Sequence, residues 1–264
     1  MIDDTAPATL ATLETYYDTA PRANARTEEV GPFTLFVKDQ PDGFDYYARP
    51  RLGLTGEVTR ADVDAVRARQ RELGVPENLE WVHDTTPSLL DPVRASGLPV
   101  ELCPLLVAGP LAAGPGDGGA ARQVTGRVAI LGADDDLETV TGAVHAAFGG
   151  TDDARPAPAE RRRAMVRAGL LTMAGAYDDQ GACVGGGSHG PRGATSELTG
   201  IGVLPRARRR GLGGALAAVL ARDAVDRGVR TVFLSAQDDA VARVYERVGF
   251  VRVGTACIAE AGDG

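Results

Sequence analysis

Lysine is nearly absent from this chain. Lys38 is the single one, and every other basic position is arginine, a skew that reads as coding bias in a GC-rich genome rather than as a functional device. Positive charge is also in deficit: 28 Lys and Arg stand against 36 Asp and Glu, for a net charge of −8. That balance argues against a nucleic-acid surface and suits cationic small molecules as partners. Arg161-Arg162-Arg163 reads as a solvated helix face. Cysteine is scarce and scattered, at 103, 183 and 257 with no C-x-x-C pair, which excludes a disulfide framework and a zinc ligand set and fits a reducing cytoplasm. No apolar run approaches a membrane span, and the acidic start Met1-Ile2-Asp3-Asp4 is unlike a secretory leader. A cytoplasmic protein with no membrane partner and no metal is expected. At 264 residues, with 44% hydrophobic and 24% charged residues, the chain has room for one large or two modest soluble domains.

The informative stretch is Val203-Leu204-Pro205-Arg206-Ala207-Arg208-Arg209-Arg210-Gly211-Leu212-Gly213-Gly214, with Val244-Tyr245-Glu246-Arg247-Val248-Gly249-Phe250 downstream. The first segment reads as a strand running into a glycine loop that opens a helix. Glycines at 211, 213 and 214 let the backbone turn tightly and approach a ligand. N–H groups at a helix start lack internal partners and suit a pyrophosphate, and the arginines add formal charge there. A Walker loop would need Lys-Ser or Lys-Thr after its last glycine, where Ala215 and Leu216 stand. A dinucleotide fingerprint would need G-x-G-x-x-G, and 211–216 does not supply it. The spacing present is V-x-P followed by R-x-x-G-x-G (Arg208, Gly211, Gly213). It resembles motif A of the GNAT superfamily of acyl-CoA-dependent N-acyltransferases, and Tyr245…Gly249-Phe250 resembles that family's motif B. The resemblance covers roughly residues 126–258.

Residues 109–121 form a linker of small residues, too poor in apolar groups to pack. A boundary there makes 121–264 a GNAT N-acetyltransferase domain and 1–120 a separate lobe. After the linker the patterns predict a strand at Arg127–Leu131, a helix from near Asp134 carrying Leu137, Val140, Val144 and Phe148, and a helix over about 157–168. Strands come next at about 170–177, 182–188 and 195–203. The glycine loop then opens a helix stopped by Gly228, and Thr231–Ser235 is a buried-type strand. The last helix carries Val241, Val244, Tyr245 and Val248 and ends at Gly249. The resemblance implies an α/β (α+β) fold, a mixed and largely antiparallel sheet flanked by helices, preceded by a smaller α/β lobe.

In the N-terminal half, Thr9–Thr19 reads as a helix. Phe33–Val37 and Phe44–Ala48 form a candidate hairpin across Pro41-Asp42-Gly43, and Arg60–Leu73 is a more secure helix. The stretch after that helix looks like a faded copy of the C-terminal half at an offset of 152, set by aligning Gly97 with Gly249. The offset pairs Trp81 with Phe233, Val82 with Leu234, Leu89 with Val241 and Leu98 with Phe250. The copy has Val93 in place of Tyr245 and Pro87 in place of Asp239, and nothing near residue 57 supplies R-x-x-G-x-G. It therefore reads as a degenerate, non-catalytic lobe. Val251–Ile258 supplies one strand after motif B, and 259–264 is too short and polar for another. The lobe, through Val100–Val107 and the 33–48 hairpin, is expected to pack against the C-terminal sheet and either extend it at the edge this leaves or close its open cleft.

Attack on a thioester needs a neutral amine. With an amine pKa near 10, only about one molecule in a thousand is neutral at pH 7, a handicap of roughly 4 kcal/mol. A carboxylate can take that proton, a phenol can protonate the departing thiolate, and a backbone N–H on a bulged strand can stabilise the oxyanion. By resemblance, Tyr245 is the acid, and Glu197, on the strand entering the loop, is the base. The Val203, Leu204 and Pro205 backbone would bind the pantetheine arm. Arg208, Arg209, Arg210, Gly211, Leu212, Gly213 and Gly214 would bind the pyrophosphate. Asp239 stands where the family often has an asparagine on the cofactor arm. His189 is a turn or pocket residue, His145 a structural one, and Ser235 a weaker candidate. The expected activity moves acetyl from acetyl-CoA to a primary amine of a small molecule or peptide by direct attack, without an acyl-enzyme. The alternatives are a longer acyl group or a non-catalytic acyl-CoA-binding regulator. A homodimer is compatible, and the acceptor is left open.

Overall fold

The computed structural model describes residues 5–39, 47–109 and 125–261. In chain order they form α1 (Thr5–Arg22), β1 (Ala25–Val30), β2 (Phe33–Lys38), β3 (Ala48–Pro50), α2 (Arg60–Leu73) and β4 (Asn78–Val82). A 3-10 turn at Pro87–Leu89 runs into α3 (Leu90–Ala95), then β5 (Val100–Ala108). Next come β6 (Arg127–Leu131), α4 (Leu137–Phe148), α5 (Glu160–Arg167), β7 (Thr172–Tyr177), β8 (Cys183–Arg192) and β9 (Thr195–Val203). A second 3-10 turn (Pro205–Ala207) precedes α6 (Leu212–Asp226), β10 (Thr231–Ser235), α7 (Asp239–Glu246) and β11 (Phe250–Glu260). No described helix is long and apolar enough to cross a membrane.

Two compact units divide the chain. Residues 1–105, 235–239 and 252–264 make the first, and residues 106–234 and 240–251 the second. This differs from a cut at 120/121, because the chain's last strand groups with the N-terminal residues. Most of the expected linker lies outside the described residues.

In the first unit the strands run β1-β2-β3-β4-β11. β1, β2 and β3 are antiparallel neighbours, β3 and β4 are parallel, and β11 pairs antiparallel with β4 from Ala256↔Val82 to Glu260↔Asn78. The sequence pattern does not announce β1. The turn of the expected 33–48 hairpin lies outside the described residues, though β2 does pair with β3. α2 has the expected bounds because its ends are chemically marked. Thr59 and Asp62 cap each other reciprocally, and Gly74 closes the far end at φ 65. Its buried Val63 and Val66 join Leu35, Leu79, Trp81 and Leu89 in a core that also takes Cys257 and Ala259 from β11. One buried charge was not legible in the sequence. The Arg49 guanidinium pairs with Glu14 at 2.9 Å and lies over the Tyr17 ring at 4.5 Å.

The suspected repeat has a structural counterpart. Displaced by 152 residues, β4, α3 and β5 fall on 230–234, 242–247 and 252–260, against β10, α7 and β11. Gly97 and Gly249 both have positive φ, 86 and 99. Val93, at the Tyr245 position, is fully buried.

In the second unit the order is β10-β9-β8-β7-β6, parallel between β10 and β9 and antiparallel elsewhere. Helices lie against both faces at the centre, and Gly185-Gly186-Gly187 makes room for them. A Cβ on Gly186 would lie 2.4 Å from Val140 of α4 and 2.8 Å from the Ala174 carbonyl. One on Gly187 would lie 3.2 Å from Leu220 of α6. α4 starts at Leu137 rather than near Asp134, because the acidic run splits its work. Asp136 accepts from Thr139 N at 2.9 Å as the cap, while Asp135 accepts from Gly132 N at 2.7 Å. The arginine run on α5 is only in part a solvated face. Arg163 holds the Glu138 carboxylate at 2.7 Å and donates to the Ala133 carbonyl.

His189 is neither a turn residue nor a pocket wall. It is fully buried inside β8, with Nδ1 2.9 Å from Ser196 Oγ on β9 and Nε2 2.9 Å from Asp223 Oδ2 on α6. Asp223 also accepts from Arg227 at 2.6 Å. Since a carboxylate only accepts, the neutral ring donates from Nε2 to Asp223 and accepts the Ser196 hydroxyl proton at Nδ1. Burial lowers the His189 pKa below 6.5, although Asp223 pulls the other way. Asp223 is lowered too, as hydrogen bonds from Arg227 and His189 outweigh its burial.

This packing can be tested in two ways. Gly186→Ala should cost about 1–3 kcal/mol, because neither α4 nor the Ala174 backbone can yield freely. Chemical denaturation of the variant beside the parent measures this. The second test concerns pH. A depressed histidine pKa gives stability that is complete above about pH 6.5 and is lost as pH falls through the native value. The parent's melting temperature should therefore drop from about pH 7 to about pH 5, and His189→Gln should flatten that segment while melting lower at neutral pH. A variant with the parent's full pH slope would refute the assignment.

Candidate functional site

The site is built around a strand that loses its neighbour. β9 pairs with β10 only over Thr195↔Thr231, Ser196↔Val232 and Phe233↔Glu197. It then runs on to Val203 with its β10-side edge outside that ladder. Alternation sets its faces. Ser196 and Leu198 point toward α6, as the Ser196–His189–Asp223 link requires. Glu197 and Thr199 point toward α4, which abuts Gly186 and Gly202 on that side. Glu197 is partly buried.

Beyond Glu197 the strand bulges. Gly186↔Gly202 and Ser188↔Thr199 bracket one more residue on β9 than on β8, and Gly200 takes φ 63. An extra residue with a left-handed glycine bends the strand and leaves part of its backbone outside the ladder. The bulge residue was not singled out from the sequence, although glycine inside a strand pattern is its usual signal.

After Val203 the loop is pegged at intervals. Leu204 and Leu212 are buried core residues, so only their backbones are available to a ligand. Leu204 N donates to Val184 O at 2.9 Å. Arg208, expected on the pyrophosphate, donates to Val203 O at 3.0 Å and Ala147 O at 2.9 Å, so it clamps the loop to the end of α4. Asp152, not foreseen, accepts from Arg206 N at 3.0 Å. Arg209 has φ 62, the one positive value at a non-glycine residue among those described, at a cost of about 1–2 kcal/mol. Arg209 and Arg210 are exposed and make no ion pair among the described residues.

Gly211 caps α6 at φ 82 with no side-chain hydrogen bond. The helical ladder begins with Ala215 N donating to Gly211 O at 3.0 Å, so the N–H groups of Leu212, Gly213 and Gly214 precede any i−4 acceptor. The two glycines differ in purpose. A Cβ on Gly214 would lie 3.2 Å from Val248, so this glycine admits the chain at the end of α7. A Cβ on Gly213 would meet no atom within 4 Å. Its bare side faces space in which an anion can reach the backbone.

Tyr245 on α7 is 7% exposed, its ring 6.2 Å from that of Phe250. Its hydroxyl has no hydrogen-bond partner among the described residues, and burial pushes its pKa up to about 12. Asp239 and Ser235 group with the first unit, and the Asp239 carboxylate accepts from Arg252 at 2.9 Å. His145 is exposed on α4. The thiols are poor nucleophiles. Burial raises Cys257 to about 12, Cys103 to about 11, and Cys183 above its usual value.

Residues 142–250 match the acetyltransferase (GNAT) family model. No curated protein shows significant sequence similarity to the chain. Solved structures share its fold at low identity. A GCN5-related N-acetyltransferase from Kribbella flavida has a TM-score of 0.71 at 19% identity, covering 97% of this chain and 96% of that one. A GCN5-related N-acetyltransferase-like protein from Streptococcus suis has a TM-score of 0.56 at 13% identity, covering 96% and 100%. A tandem GNAT protein from the clavulanic acid biosynthesis pathway has a TM-score of 0.53 at 17% identity, covering 100% and 97%. The stretch that matches the acetyltransferase (GNAT) family model contains the parted strand, the clamped loop, the uncapped helix and the buried tyrosine.

Proposed function

We propose that this protein transfers an acetyl group from acetyl-CoA to a primary amine by direct attack. The observation that carries this is the uncapped amino end of α6, whose Gly213 faces open space at the end of a strand parted from its neighbour. The fit with a pyrophosphate is good. Leu212, Gly213 and Gly214 offer backbone N–H groups at the positive end of a helix, and the exposed Arg209 and Arg210 add formal charge. The free edge of β9 up to Val203 suits an amide-bearing arm. Arg208 is assigned a supporting role, because two backbone carbonyls already occupy its guanidinium.

Acetyl-CoA, when bound, supplies an activated thioester and a thiolate leaving group. Glu197 would accept the proton of an incoming ammonium, bringing the amine to its nucleophilic form. The bulge at Gly200 would turn a backbone group of β9 toward the reacting carbonyl. Tyr245 would act at the sulfur. Burial raises the phenol's pKa, which disfavours its giving the proton up fully to a thiolate. Tyr245 therefore works as a hydrogen-bond donor to the developing thiolate, and completes the transfer only if the bound state lowers its pKa.

Acetyl-CoA should raise the parent's melting temperature. Gly213→Asp should abolish the shift by placing a carboxylate at the phosphates. Gly213→Ala should leave the apo protein as stable as the parent and still weaken binding, since its methyl occupies ligand space and not core. No shift by millimolar acetyl-CoA in the parent would remove the basis of the proposal.

Tyr245→Phe should lower kcat roughly 10²-fold with acetyl-CoA binding retained. Glu197→Gln should depress the rate most at low pH, where the amine is charged, and recover part of it as pH rises. Parental activity in Tyr245→Phe would make the tyrosine a packing residue.

A further inference from the structure

The two faces of the parted strand receive different things. Ser196 and Leu198 face α6, and so does Ile201, which with Leu220 of α6 crowds the bare side of Gly187. The cradle is the amino end of α6, so phosphates are received from that side. Glu197, Thr199 and Gly200 face α4 instead. An amine that gives its proton to Glu197 therefore approaches from the α4 side.

α4 crosses that face toward the edge β10 has left. Near its start, Val140 packs with Leu131, Leu137 and Met173, and a Cβ on Gly186 of β8 would lie 2.4 Å from it. One turn on, Val144 stands over both strands, 3.3 Å from that Cβ and 3.9 Å from one on Gly200 of β9. In the last turn the helix reaches Gly202, where a Cβ would lie 3.1 Å from Ala147 and 3.5 Å from Phe148 Cε2. The contacts thus pass from β7 and β8 onto β9, whose ladder with β10 ends at Glu197. Phe148 closes that course. It is 67% exposed, the highest value for a large apolar side chain among the described residues. A single apolar side chain in water is ordinary on a surface, but this one stands at the margin of the site, on the base's face.

The same face has little polar recognition to offer. From Glu197 to Gly202 it adds only Thr199, Gly200 and Gly202, so β9 brings no second charge there. The hydroxyls of Thr199 and Ser188 engage each other at 3.1 Å. What lies beyond the base is bare backbone, Val144 and the Phe148 ring. Gly202 is two residues past the bulge at Gly200, a reach of about 7 Å, which a short stem on an amine placed at the bulge would span.

We propose that Phe148, with Val144 beside it, receives the stem of the acceptor, and that the acceptor is a primary amine on an uncharged aryl or alkyl stem. This rests on the acyl-transfer reading above. A stem laid against the ring takes apolar surface of both out of water. A second charge on the acceptor would lose hydration there and gain no partner.

The test uses the full chain, acetyl-CoA and matched primary amines: phenethylamine beside ethanolamine, and hexylamine beside hexamethylenediamine. Turnover is read by thiol release, and binding by calorimetric titration with CoA present. The apolar member of at least one pair should lead its partner roughly tenfold or more in kcat/KM or affinity. Phe148→Ala should cut that lead roughly tenfold, while the apo melting temperature and the acetyl-CoA thermal shift stay at the parent's values, because the ring is largely exposed. Phe148→Leu should restore part of the lead. Acetyl-, propionyl- and butyryl-CoA are compared in the same variants. No lead in either pair, a lead that survives Phe148→Ala, or an effect of Phe148→Ala on acyl-chain preference or acetyl-CoA affinity instead each overturns the proposal. Failure of the parent to bind acetyl-CoA would instead overturn the acyl-transfer reading beneath it.

Discussion

An uncapped helix end is a local deficit that the surrounding structure has to hold in place. At α6 three N–H groups have no acceptor among the described residues, Gly211 offers no side chain to cap them, and Arg209 beside them sits in a left-handed conformation. A side-chain cap would contribute about 1 kcal/mol, and the chain forgoes it. What keeps the segment from refolding into something more comfortable is a series of pegs: Leu204 and Leu212 in the core, Arg208 on two carbonyls, and Asp152 on Arg206 N. At the other end of the helix, Asp223 is fixed through His189 to Ser196. The cradle and the strand bearing Glu197 are thus tied to one helix. Strain concentrated at such a point persists only where the surroundings over-determine it.

The two faces of the second unit's sheet divide the work. Toward α6 lies a network in which both His189 nitrogens are engaged, by Ser196 and by Asp223. Toward α4 and α5 lie Glu197, Arg162, which makes no ion pair among the described residues, and Arg192, whose buried Nε has no partner among them. The glycines of β8 allow this arrangement. Without side chains at 186 and 187, α4 and α6 approach closely enough to cover both faces.

The glycine loop, the parted strand's bounds, α2 and α6 were legible in the sequence, because each is marked by residues whose chemistry acts locally. Thr59, Gly74, Gly211 and Gly228 do not depend on distant partners. Roles that depend on distant partners were not legible. Arg208 carries the charge of a phosphate ligand, but carbonyls at 147 and 203 claim it. Gly214 looks identical to Gly213 until Val248 is seen beside it. His189 in Ser-His-Gly-Pro reads as a turn, and only the burial of β8 between two layers makes it a link. Arg162 sits in a run that looks solvated throughout, and pairing of its neighbours alone sets it apart.

The first unit is not a self-sufficient stretch of N-terminal sequence. Its β4 is laddered to residues 256–260, and its core includes Cys257 and Ala259. Removing β11 would expose the β4 backbone along one edge and leave voids beside Leu79 and Trp81, at a cost of a few kcal/mol by the usual scale for cavities. The chain's last strand thus closes the core of the unit built mainly from its first 105 residues. Val93, 152 residues before Tyr245, is fully buried in that same core, where an apolar side chain packs without a hydroxyl to satisfy.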